Sequence, residues 1–249
     1  QIAQGYVTQI INNFGNEQVK PRRQQNAARQ DTFTMPSTVL IPRNSFNLNL
    51  IYTWFTVPGL VCILTTVVSI TLTTMSIARE RELGTLEQLL VSPLDPIQIL
   101  VGKTIPAMII GMIEGTVILI AAVTFFQIPF TGSLIALYLS MFTYILSIVG
   151  IGLFTSTIAK TQQQAMLGVF VFMMPGITLS GFATPIENMP EWVQTLTLAN
   201  PLRHFLFIVR GLFLKDLPLH NVFQHIYPMV IIAIVNLSLA TWMFKRKLI

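Results

Sequence analysis

Apolar positions in this chain come as uninterrupted runs and not as stripes. Five stretches, at about 57–78, 104–126, 133–155, 165–182 and 226–244, are apolar almost throughout. A helix needs roughly 18 to 20 such residues to cross the hydrocarbon layer, and one that is apolar all round must be enclosed by lipid or by other helices. The runs therefore predict five transmembrane helices. Residues 1–56 read differently, as a mixed polar stretch in which Ile2, Tyr6, Ile10, Ile11 and Phe14 recur at helical spacing and Thr38 to Ile41 form a short β-branched run. A partial extracytoplasmic α+β segment is expected there, the end of a larger external domain, followed by a membrane domain over 57–249. The chain opens at Gln1 without a methionine or a signal-peptide pattern, so a further upstream segment is expected. Residues 183–225 are semi-polar and predict an external segment of short re-entrant or interfacial helices, with Trp192 and Tyr227 at headgroup level.

Composition reinforces the membrane reading. Hydrophobic residues make up 53% of the chain and charged residues 10%, against about 25% charged in soluble domains. The net charge of +5 is not a nucleic-acid signal, because the basic residues sit at the ends of apolar runs and form no basic face. Lipid headgroups and topology account for them. Arg79, Arg81, Lys103, Lys160, Lys245, Arg246 and Lys247 fall on one side if the helices alternate, whereas the loop at 127–132 on the other side carries no charge. The positive-inside rule then puts the C-terminus in the cytoplasm and the N-terminal segment outside. The single cysteine, Cys62, lies within an apolar run and is read as a small packing residue.

The segment after the first run, Arg79 to Pro93, is polar and periodic. Written as a helix, it puts Leu83, Leu86, Leu89 and Leu90 on one stripe with Arg81, Gln88, Glu80 and Glu87 opposite, and Pro93 ends it. Periodicity alone fits a helix lying on the headgroups as well as one that docks a partner. The run ARERELGTLEQLLVSPL resembles the loop of ABC-2 type permeases that docks on the ATPase subunit. The run SGFATPIENMPEWVQTLTLANPLRHFLFIVRGLFLKD is similar to that family's external segment after its fifth span. The likeness covers spans two to six of a six-span subunit and lacks the family's cytoplasmic N-terminus and first span. It implies an all-α polytopic membrane protein of the bacterial inner membrane. It further implies an export subunit that pairs with a second permease, as a homo- or heterodimer, and couples to a separate cytoplasmic ABC ATPase. On that resemblance the coupling loop spans 79–103, with Arg79, Glu80, Arg81, Glu82, Gly84, Thr85, Glu87, Gln88, Ser92 and Pro93 as the coupling residues. No cofactor is expected on this chain, since ATP and magnesium belong to the partner.

Motifs that imitate nucleotide sites do not hold. Gly102-Lys103-Thr104 lacks the glycine a phosphate-binding loop needs five residues earlier, where Ile97 stands. His204, His220 and His225 have no metal-binding spacing, and no nucleophile and base arrangement supports hydrolysis, so no catalytic or metal residue is assigned. Glu114 is the one charged residue between Lys103 and Lys160. An ionised group at mid-membrane costs about 2.5–3.5 kcal/mol on insertion scales, so Glu114 should face the bundle or water. It reads equally as a contact in the translocation path and as a neutral carboxyl bonded to a neighbouring helix. As a proton site it also supports an alternative, an ion-coupled secondary transporter. Gly111 and Gly115 form a small-xxx-small pair for close helix packing.

Overall fold

A computed structural model describes residues 52–86, 88, 93, 95–215 and 217–247. The described residues are helical, with connecting turns and no strand. Seven α-helices follow in order: α1 (Tyr52–Glu82), α2 (Pro96–Thr124), α3 (Leu134–Ile158), α4 (Gln162–Thr178), α5 (Glu191–Leu196), α6 (Pro201–Leu214) and α7 (Leu219–Lys247). The α+β segment expected over 1–56 lies outside the described residues, except that its last residues, 52–56, open α1.

Four helices, α1, α2, α3 and α7, are long and apolar enough to cross a membrane. Each extends beyond its apolar run, because polar residues at helix ends keep the backbone paired while their side chains reach the interface. The entry to α2 is built locally. Pro96 occupies the first helical position, where a missing N–H costs nothing, and the Asp95 N–H donates to Gln98 Oε1 at 3.1 Å. The remaining predicted span, 165–182, coincides with α4, which has 17 residues, ends at Thr178 and is not among these four. At 1.5 Å per residue it rises about 25 Å, short of a hydrocarbon core of about 30 Å.

The shortfall has a physical reason. Tyr144, ten residues into α3 and so about 15 Å from its start, stacks on Phe205 of α6 with ring centroids 4.3 Å apart. At the other end of α6, the Gly132 N–H donates to Leu212 O at 2.9 Å. Helix α6 therefore runs antiparallel to α3 inside the bundle, with Phe205, Leu206, Ile208, Val209, Leu212 and Phe213 buried. The chain leaving α4 turns at Gly181 (φ 86°), passes through α5, and returns so that Asn200 Nδ2 donates to Gly176 O at 2.7 Å. Within 183–225, α6 thus enters the bundle, whereas residues 183–200 are mostly exposed, and α4 stops at the end of the bundle where this segment packs. Its last residues, from Leu219, already belong to α7.

The core is centred on α3, which packs against α1, α2, α6 and α7. Buried hydroxyls on these apolar helices bond back to their own backbone, as Thr157 does to Leu153 O and Ser147 to Tyr144 O. Tyr144 and Thr66 share a hydrogen bond between α3 and α1.

Candidate functional site

A group of charged residues, Arg79, Glu80, Arg81, Glu82 and Lys103, meets at one end of the bundle, around the C-terminus of α1. Gly84 takes a positive φ of 75°, a conformation natural to glycine one or two residues past a helix end, and Leu83 N–H closes the last turn on Arg79 O at 3.0 Å. The continuous amphipathic helix expected from Arg79 to Pro93 is therefore broken at Gly84. A helical turn resumes at Thr85 and Leu86. The break divides the expected leucine stripe: Leu83 is 65% exposed and Leu86 only 8%.

The coupling residues separate into two sets. Arg79, Glu82, Gly84, Thr85, Gln88 and Pro93 are exposed, as is Leu83. Glu80, Arg81 and, from its exposed position, Glu82 bond to other parts of the bundle. Glu80 pairs with Lys103 at the start of α2. Arg81 Nη1 donates to Thr157 O at 3.0 Å and Ala159 O at 2.6 Å, and Glu82 Oε2 accepts from the Gln162 N–H at 2.8 Å. Glu87 and Ser92 lie outside the described residues.

Deeper in the bundle, Gly111 and Gly115 are the contact surface of α2. A Cβ on Gly111 would stand 2.6 Å from Ser69 Oγ of α1, and one on Gly115 2.5 Å from Met141 Sδ of α3. Glu114 lies beside this seam. Its Oε2 is buried without a hydrogen-bond partner, and the same holds for Thr65 Oγ1 and Ser69 Oγ on α1. Unsatisfied oxygens are costly in a low-dielectric interior, and three of them lie along the α1–α2 seam. The structure gives the Glu114 carboxylate no bond to a neighbouring helix.

Two features escaped the sequence reading. Gly150 and Gly152, on opposite sides of α3, admit α7 and α1: a Cβ on Gly150 would stand 2.7 Å from Asn236 Cβ and 3.1 Å from the Asn236 carbonyl carbon. Arg210 on α6 lies over the Phe55 ring at 3.7 Å, a cation–π contact to the start of α1, and donates to Gly181 O at 3.3 Å in the turn after α4. His204 and His225 face each other, Nδ1 to Nδ1, at 3.1 Å, and His204 Nε2 meets Leu198 O at 2.9 Å. These two histidines tie α6 to α7.

A bundle with four helices long and apolar enough to cross a membrane, and with α6 buried among them, defines a polytopic membrane protein. The chain belongs to the ABC-2 type transporter family, whose model matches residues 2–214. It is similar to a probable multidrug ABC transporter permease of Escherichia coli (strain K12), YbhR, with 45% identity over 247 residues that cover 99% of this chain and 64% of the relative. A second such permease from that strain, YbhS, is 32% identical over 82% of this chain and 54% of its own length. Its inner membrane transport permease YhhJ is 29% identical over 98% of this chain and 63% of its length. The chain spans somewhat less than two thirds of the length of these relatives.

Proposed function

We propose that this chain is the membrane-spanning part of an ATP-driven exporter in a bacterial inner membrane. It lines part of a translocation path that a second permease subunit completes, and a separate cytoplasmic ATPase supplies the energy by hydrolysing ATP with magnesium. The observation that carries this reading is the charged end of the bundle, where Arg79, Leu83, Thr85 and Gln88 are exposed around a glycine-broken turn. An exposed leucine beside a cation suits a partner groove better than it suits water.

In this reading the charged end is cytoplasmic, and residues 1–56 are extracytoplasmic, the end of a larger external domain. Helix α4 counts as the fifth crossing, completed on the outer side by the re-entrant segment. The topology has a direct check. Cysteine at Pro129, exposed in the loop after α2, is expected to react with an impermeant thiol reagent from outside, and cysteine at the exposed Lys160 is not. The native Cys62 is buried and stays silent. The reverse labelling pattern would invert the orientation.

The relative YbhR carries "multidrug" in its name. An apolar bundle with one mid-membrane carboxyl and free hydroxyl oxygens fits lipophilic, preferably cationic, small molecules as cargo. Glu114→Gln keeps the shape and removes the charge, so it is expected to lower transport of a cationic dye while leaving the extracted amount of protein unchanged. Unaltered dye transport would remove Glu114 from the path.

The experiment for the whole reading uses inverted vesicles that contain the full-length protein with its ATPase. ATP should drive dye accumulation. Accumulation driven by a proton gradient without ATP would favour the second reading, an ion-coupled carrier, which the unpartnered Glu114 Oε2 supports.

A further inference from the structure

We infer that Arg81 and Glu82 are positioning residues that tie the coupling loop to the α3–α4 hairpin, so that movement of the loop is carried into the bundle. This rests on the exporter reading above and adds the route by which the stroke is transmitted.

The α3–α4 connection is short. Ala159, Lys160 and Thr161 alone separate Ile158 from Gln162, and three residues are too few to reach out to a cytoplasmic partner. The hairpin has no handle of its own. Adjacent residues at the end of α1 supply one, since side chains at positions 81 and 82 leave a helix about 100° apart and can address two neighbouring helix ends at once. Arg81 bonds the terminal carbonyls of α3 at Thr157 and Ala159, and Glu82 bonds the first N–H of α4 at Gln162. The signs match the targets. The last carbonyls of a helix carry partial negative charge and its first N–H groups partial positive charge, so a cation on α3 and an anion on α4 are each attractive, whereas the exchanged order would repel twice.

The contact beneath the two charges is close. Ala78 of α1 packs with Ala159 and Ala165 in a small buried cluster, with Met75 beside it. Alanines have no rotamers with which to absorb a displacement, so a shift of the end of α1 moves the hairpin. Glu82 is also the last residue of α1, and Gly84 breaks the helix two residues later. The clamp therefore sits where the coupling loop joins the rigid helix. From the turn, α4 leads to Gly176, whose carbonyl accepts from Asn200 at the entry to α6. A push on the loop then has a continuous bonded route to the re-entrant helix. The Glu80–Lys103 pair makes a separate tie to α2 and does not engage the hairpin.

The test uses the full-length permease with its ATPase and reads three quantities: ATPase retained, ATP hydrolysed and dye transported per ATP. For the double variant Arg81→Ala with Glu82→Gln, the ATPase should remain bound and active while transport per ATP falls about tenfold, within the span of ordinary coupling between sites. Arg81→Lys, which keeps the positive charge but not the planar guanidinium, should lose less. Joining Glu82→Cys to Gln162→Cys with a short thiol reagent should restore transport per ATP in the Arg81→Ala background, a rescue that general destabilisation would not give. Unchanged transport per ATP would overturn the clamp. So would a loss that parallels reduced yield and ATPase binding and is not rescued by the cross-link, since the residues would then only stabilise the fold. Absence of ATP-dependent transport by the unmodified complex is a different result, and sinks the exporter reading itself.

Discussion

Leucine at position 150 is expected to abolish recovery of folded protein. Gly150 is where α3 meets α7, and the atoms a side chain would strike include the backbone of its neighbour: Asn236 Cβ at 2.7 Å, the Asn236 carbonyl carbon at 3.1 Å and Leu237 N at 3.1 Å. A flexible side chain can rotate away, but a helix backbone cannot, so the two helices must separate. Overpacking a filled core costs about 1–3 kcal/mol and sometimes more, and leucine adds three carbons beyond the Cβ that already clashes. Separation would also break the bond from Asn236 Nδ2 to Ser147 O at 3.1 Å and leave both groups unsatisfied in an apolar interior. Alanine should produce a milder loss. Gly102→Leu serves as the control, because nothing lies within 4 Å of its Cβ position. Monodisperse yield after detergent extraction reads the effect, and wild-type yield for Gly150→Leu would contradict the α3–α7 packing described above.

The second large effect is expected at the coupling loop, where exposure separates two leucines three residues apart. Leu83→Asp combined with Arg79→Glu should reduce ATPase association by roughly 30-fold, the order expected when an apolar anchor near an interface centre is lost at about 2 kcal/mol. The permease should remain folded, since Leu83 is 65% exposed and Arg79 is exposed as well. Leu86→Asp should do the reverse and lower the yield of the permease itself, because Leu86 is 8% exposed and belongs to the main core. Pull-down of the ATPase normalised to permease yield separates the two outcomes. Full ATPase binding by the first variant would leave the turn as a headgroup-bound surface element.

Much of the architecture could be read along the chain because the bilayer imposes a simple rule. Long apolar runs must be helices, and α1, α2, α3 and α7 follow it. Their ends were harder to place, although the signals were present: Asp95, Pro96 and Gln98 form a helix start at the entry to α2, and Thr161 with Gln164 forms another at α4. The re-entrant course of α6 was not legible. An apolar 14-residue helix looks the same whether it lies on a membrane or enters a bundle, and the partner that decides it, Tyr144, is 61 residues away from Phe205. Glycine posed the same difficulty. The spacing of Gly111 and Gly115 announced a packing seam, but Gly150 and Gly152 matter because of what lies opposite them.

At the coupling loop, heptad spacing treated Arg81 with Gln88, and Glu80 with Glu87, as equivalent polar positions. Gly84 removes that equivalence by ending the helix, after which Arg81 and Glu82 face the α3–α4 turn while Gln88 faces outward. The sequence does hold the glycine that signals this. A glycine within an otherwise helical pattern is tolerated often enough that its conformation has to be seen.

The central claim, that the glycine-broken turn docks a separate ATPase, is tested most directly by photo-crosslinking in the full-length protein. A photoreactive residue is placed at Leu83, and another at the exposed Trp192 of the re-entrant segment as the comparison. Tryptic peptides of the captured species are then sequenced. The prediction is an ABC ATPase, recognised by peptides bearing its phosphate-binding loop, captured from position 83 and absent from position 192. Lipid alone at position 83, or the same ATPase captured equally from both positions, would contradict the docking role.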